Sequence, residues 1–188
     1  VKKKILIGLG VIFLAALMVA AGTWAWFTAE AEPVINQFTT GTVEIEIIDE
    51  YEEITNWNPG DTADKDVSIE NLGTKCAYVR VKLTPAWGDM VEGEFVSDEN
   101  LGTTNVTLNW NEEEWMLHAD GYYYYMNTLP AGETTPLLLD SVTLVGPDTD
   151  NSYQGKVFQI LIEADAVQCT NDAYKDVWGM DELPWLAE

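Results

Sequence analysis

The sequence predicts an all-β fold, an antiparallel β-sandwich, from three observations. Apolar and polar residues alternate with period two in six separate stretches. Gly, Pro, Asn and Asp cluster between those stretches as turn signals. The long amphipathic helices that would alternate with parallel strands do not occur in the pattern.

The first stretch sets Val43, Ile45 and Ile47 against Glu44 and Glu46, so one face is apolar and the other charged. Asn58-Pro59-Gly60-Asp61 then breaks the chain. Val67 and Ile69 alternate with Ser68 and Glu70, Asn71-Leu72-Gly73 turns, and Val79, Val81 and Leu83 alternate with Arg80 and Lys82. The period recurs at Val106 to Trp110, Val142 to Leu144 and Phe158 to Ala164, with breaks at Pro130-Ala131-Gly132 and Gly146-Pro147-Asp148. Short helical insertions are expected at Asp89 to Glu94, Glu112 to His118 and Asn171 to Trp178. The run Tyr122-Tyr123-Tyr124-Tyr125 is expected to pack as a strand, alternate rings facing opposite sides, rather than to form a sugar platform.

Ahead of the strands lies a leader. Lys2, Lys3 and Lys4 precede an apolar run from Ile5 to Ala21, followed by small residues and a change to acidic sequence. That order is an export signal. Thr23 and Ala25 place small side chains where a signal peptidase requires them, so cleavage is expected between Ala25 and Trp26. The alternative is an uncleaved anchor, because the apolar run approaches the roughly 17 to 25 residues that span a bilayer. The expected organisation is a signal peptide over 1–25, an arm over 26–38 and a sandwich over 39–188. In the arm, Phe27, Ala29, Ala31, Pro33 and Ile35 share one parity and the opposite side is mainly polar. This is the pattern of a half-buried strand, and Pro33, which has no N–H to give a ladder, suits an edge.

The junction GTWAWFTAEAEPVINQFTTGTVEIEI at Gly22 to Ile47 resembles the start of the TasA and camelysin family of secreted proteins, in its Gly-Thr-Trp-Ala segment and in Phe38 to Thr42. Trp57 to Leu83 is similar to the family's Pro-Gly-Asp turn, following strand and Asn-x-Gly hairpin, and Ile162 to Gly179 to its closing strand and tail. The resemblance implies a jelly-roll sandwich, removal of the leader by a dedicated signal peptidase, and subunits joined head to tail by strand exchange. It also raises a peptidase reading, since camelysin is described as a metallopeptidase.

Composition bounds the partners. The formal net charge is −23, with 32 acidic residues against 9 basic ones, and loss of the leader lysines makes it more negative still. Such a chain repels nucleic acid. The charge keeps a crowded surface protein soluble; the sharper alternative is that cations, Ca2+ especially, screen or bridge neighbouring molecules. The length beyond the leader, about 160 residues, suits one domain with a substantial core.

Catalytic signals are thin. His118 is the chain's one histidine, no His-Glu-x-x-His helix exists, and Cys76 and Cys169 lack metal-ligand spacing. No catalytic residue, cofactor site or metal site is therefore expected. By strand parity both cysteines face outward near strand ends. The residues leave two states open, a disulfide stabilising by roughly 4 kcal/mol or two free thiols. Asp148-Thr149-Asp150-Asn151 reads as an acidic turn lacking the full calcium-loop pattern, and Asn105-Val106-Thr107 as a sequon inside a strand.

The expected function is that of a secreted structural subunit of a cell-surface or biofilm-matrix fibre. Its partners would be other copies of itself, the signal peptidase during export and an accessory matrix protein, with membrane contact only through an uncleaved leader. The alternatives are a camelysin-like cell-surface metalloendopeptidase and a monomeric membrane-tethered or adhesin protein.

Overall fold

The computed structural model describes residues 41–51 and 57–186. Cleavage at Ala25 and Trp26 and the arm residues Phe27, Ala29, Ala31, Pro33 and Ile35 lie outside them. Among the described residues nine strands form two antiparallel sheets. They are β1 (Ile45–Tyr51), β2 (Thr62–Asn71), β3 (Ala77–Val91), β4 (Glu94–Ser97), β5 (Val106–Trp110), β6 (Trp115–Leu117), β7 (Tyr123–Tyr125), β8 (Leu139–Leu144) and β9 (Val157–Gln168); one helix, α1 (Ala173–Trp178), follows. The first sheet runs β1-β2-β8-β5; in the second, β3 pairs with β9, β4 and β7, and β7 pairs in turn with β6.

The core lies between the sheets. Val67 and Ile69 of β2 face Val79 and Val81 of β3, all wholly shielded from solvent, with Leu138, Leu139, Leu129 and Trp115 around them. Each such side chain contributes about 1.5–3 kcal/mol on burial. The alternation read from the sequence thus gives both the strands and their inward faces.

Asn71 ends β2 and acts as a hub. Fully buried, it donates from Nδ2 to the carbonyls of Lys75, Leu129 and Pro130 at 2.9, 3.0 and 3.1 Å and accepts the Gly73 amide at 3.0 Å. A Cβ on Gly73 would stand 2.6 Å from the Thr42 carbonyl oxygen, so the Asn-x-Gly spacing lets the turn close against the approach to β1.

Two expected helices are strand and turn instead. Asp89 to Val91 extends β3 and pairs with β4 in a hairpin whose tip, Glu92-Gly93, has positive φ at both residues. Gly88 makes this hairpin possible, since a Cβ there would collide with the Val96 carbonyl. Glu112 to His118 is a turn and then β6, held by pairing of Trp115, Met116 and Leu117 with β7. Local helix-forming composition loses in both places to cross-strand pairing. The third expectation, near Asn171 to Trp178, is met by α1.

Candidate functional site

The two sheets are not sealed alike along their sides. β1 and β9 are edge strands, β1 pairing with β2 and β9 with β3, and among the described residues neither has a strand on its other edge. Their core-facing side chains, Ile45 and Ile47 on β1 and Ile160, Ile162, Ala164 and Ala166 on β9, pack on the core yet remain only half-buried. On the opposite side, Trp110 stacks edge-on to Tyr123 at 5.2 Å and Trp115 lies 5.3 Å from Tyr125, so aromatic rings cover the core. The result is an apolar seam flanked by two rows of ladder groups.

The seam widens into a cleft of about 1110 Å³ where β1 ends and β9 begins. Trp57, Ala63, Phe158 and Ile160 give it apolar walls. Trp57 lies 5.8 Å from Phe158 and 6.2 Å from Trp87. At the far end of the sandwich the chain joins β1: the Thr42 amide bonds Thr74 Oγ1 at 3.0 Å, and the Thr42 carbonyl accepts from Thr74 and Lys75. The point where residues 41–44 lead into β1 and the widest part of the seam thus lie at opposite ends of β1.

Beside the Thr42 contacts, Cys76 and Cys169 form a disulfide with Cα atoms 5.5 Å apart, closing a separation of 93 residues. The segment after Cys169 folds over the outer face of the second sheet. Tyr78 meets the rings of Tyr174 and Trp185, Tyr124 meets Trp178 and Trp185, and Leu183 is 2% exposed. The Arg80 guanidinium lies 4.2 Å from the Tyr122 ring and 4.8 Å from Trp178. It donates to Asp165 at 3.2 and 3.1 Å and to Tyr124 Oη at 3.3 Å.

The tyrosine run divides as a strand should. Tyr123 points into the core and Tyr125 packs against it, while Tyr124, on the outer parity, is wholly buried because the C-terminal segment covers it. Burial and a 2.7 Å hydrogen bond to Asp120 push the Tyr124 hydroxyl up to about 12. Burial raises Asp120, but bonds from Tyr124, the Tyr122 amide and His118 outweigh it and hold the carboxylate below its usual range.

His118 Nδ1 lies 3.1 Å from Asp120 Oδ1, and its ring meets Tyr124 edge-on. A catalytic metal would need donors that converge. The two cysteine sulfurs are bonded to each other, and among the described residues no group of three or more His, Cys, Asp or Glu side chains is arranged to hold a metal. The described donors do not fit a metallopeptidase centre. Asp150 of the acidic turn accepts from the amide and hydroxyl of Ser152. Asn105 of the sequon is buried, accepting from Trp87 Nε1 at 3.0 Å.

Sequence parity marks Ile45, Ile47 and the even residues of β9 as inward-facing. That these strands stand at open edges depends on pairing order, which periodicity does not encode. Arg80 likewise reads as an ordinary outward residue until the tail covers it.

The family model described as camelysin metallo-endopeptidase matches residues 1–86. No curated protein matches the chain. The matched region contains the Gly22 to Ala25 junction, Phe38 to Thr42, and the Pro-Gly-Asp turn with β2, the Asn-x-Gly hairpin and most of β3. Over those residues the chain carries the sequence pattern of the TasA and camelysin family.

Proposed function

We propose that this chain is a secreted structural subunit of a cell-surface or biofilm-matrix fibre, joined to its neighbours by donor-strand exchange and working without turnover. The observation that carries the reading is the open seam between β1 and β9. A strand laid there gains backbone hydrogen bonds from an edge that no described strand pairs, and its apolar side chains cover Ile47, Ile160 and Ile162. The arm from Trp26 to Ile35 has the matching alternation, with Phe27, Ala29, Ala31, Pro33 and Ile35 as the inserted side.

The layout of the domain favours head-to-tail growth. Each copy's chain joins β1 at one end of the strand, while its cleft opens at the other end. A copy that donates at one end and accepts at the other makes a contact that does not close on itself, so filaments result. Removal of the leader after Ala25 would free the arm only outside the cell, consistent with a family of surface and secreted proteins.

Negative-stain microscopy of the purified secreted protein tests the proposal. Filaments are expected; a field of discrete particles at all concentrations and salts would count against it.

A further inference from the structure

A second feature lies on the first sheet, away from the seam. In β8 the register slips against both neighbours: Ser141 pairs with Asn109 of β5 and Asp64 of β2, while Leu139 pairs with Trp110 and Val67. Against β5, Asp140 is the extra residue of a β-bulge. Bulges re-aim a side chain and recur next to binding sites. Asp140 is exposed and lines a pocket of about 310 Å³ with Trp110, Asn111 and Leu137.

The pocket holds the chemistry of a sugar subsite. Trp110 supplies an aromatic surface braced by Tyr123, and Leu137 is 38% exposed. Asn111 uses Oδ1 to accept the amides of Glu113 and Glu114, which leaves its Nδ2 as a donor. Asp140 accepts the Ser141 hydroxyl through Oδ1, leaving Oδ2 as an acceptor.

The bond from Ser141 connects the pocket to two ranks of polar groups across three strands, uncharged but for Asp64. Thr62, Thr143 and Thr107 stand in register, and Asp64, Ser141 and Asn109 form the neighbouring rank. Thr62 and Thr143 share a hydrogen bond at 2.9 Å, and Asn109 bonds Ser141 and Thr143 at 3.1 and 3.0 Å. Each hydroxyl keeps further capacity, since it has one donor and two acceptor positions.

We propose that this pocket and the adjoining ranks bind a neutral polysaccharide, one sugar ring seated in the pocket beside Trp110, which is on the core-facing parity of edge strand β5, and the chain passing round that edge onto the threonine rank of the outer face. Charge selects the class. A protein with a formal net charge of −23 repels polyanions, while hydroxyls, amides and the carboxylates of Asp140 and Asp64 match the hydroxyls of an uncharged sugar polymer. The pocket lies at the β5 side of the first sheet, away from the seam, and the ranks cross the outer face as far as Asp64, which also lines the seam's cleft; Asp140, Thr143 and Thr107, the positions varied in the test, do not line that cleft.

The test is affinity electrophoresis of the secreted protein in gels containing dextran, a soluble β-glucan, galactomannan or alginate. At least one neutral polymer is expected to retard the protein, and alginate is not. Asp140→Ala and Thr143→Val, the latter keeping a β-branched side chain, are each expected to weaken retardation about tenfold; His118→Ala, on the other sheet, leaves it unchanged. Thr107→Lys blocks the exposed rank without touching the core and is expected to abolish it. No retardation by any neutral polymer, equal retardation by alginate, or full retardation of Asp140→Ala and Thr107→Lys would overturn the assignment.

Discussion

Arg80 holds the C-terminal segment through Trp178: its guanidinium carbon stands 4.8 Å from the centre of the Trp178 ring. The same guanidinium packs on Tyr122 and bonds Asp165 and Tyr124, so β3, β7 and β9 meet the tail at one cation. Arg80→Ala should lower stability by about 2 kcal/mol, and Trp178→Ala by a similar amount. Urea denaturation of the two single variants and the double variant checks this. The double variant should lose less than the sum; strict additivity would show that the contact is not shared.

The Asp120 carboxylate sets an acid limit for this clamp. Its folded value lies below the ordinary carboxylate range, so the stability it contributes is full above that range and is lost as pH falls through the folded value. The tail should therefore loosen below about pH 4. Limited proteolysis after Cys169, followed from pH 7 to pH 3, reads the transition. Asp120→Asn should remove most of the pH dependence.

Asn71→Ala takes a donor from three buried or half-buried carbonyls at once. The Leu129 carbonyl keeps the Ala77 amide and the Pro130 carbonyl the Glu133 amide, so the loss is that of the Asn71 bonds and the buried volume, and about 2 kcal/mol is expected. Denaturant midpoints at constant slope measure it. Reduction of the Cys76–Cys169 disulfide should lower stability by about 4 kcal/mol, because it opens a long loop, and the same titration with and without reductant gives the value.

Much of this fold is legible in the sequence because each interior strand has one wet and one dry face. Val106 to Trp110 shows the limits of β5 directly, and Val67, Ile69, Val79 and Val81 announce the core. The short strands β4 and β6 do not announce themselves. Their sequences, acidic or rich in helix formers, become strands only because β3 and β7 offer edges to pair with. The same reason hides the functional surfaces: the seam depends on which strands are outermost, and the bulge at Asp140 on the register of β8 against β5. The tail's aromatic residues are visible as Tyr174, Trp178 and Trp185, but their target, Tyr124, is fixed by tertiary packing alone.

Like-charge repulsion should oppose assembly. Light scattering of the secreted protein should rise faster on adding salt or on acidification toward about pH 5, where carboxylates begin to take up protons. A flat response would remove charge as a brake. N-terminal sequencing of the same sample should begin at Trp26.

Strand donation is tested most directly by deleting Trp26 to Ile35 and comparing the secreted variant with the unaltered protein by electron microscopy. The deletion should leave a folded, soluble monomer, with unfolding by denaturant still cooperative. Phe27→Asp combined with Ile35→Asp should shorten or abolish filaments without unfolding the domain. Filaments of normal length from the deletion variant would contradict donation by this arm.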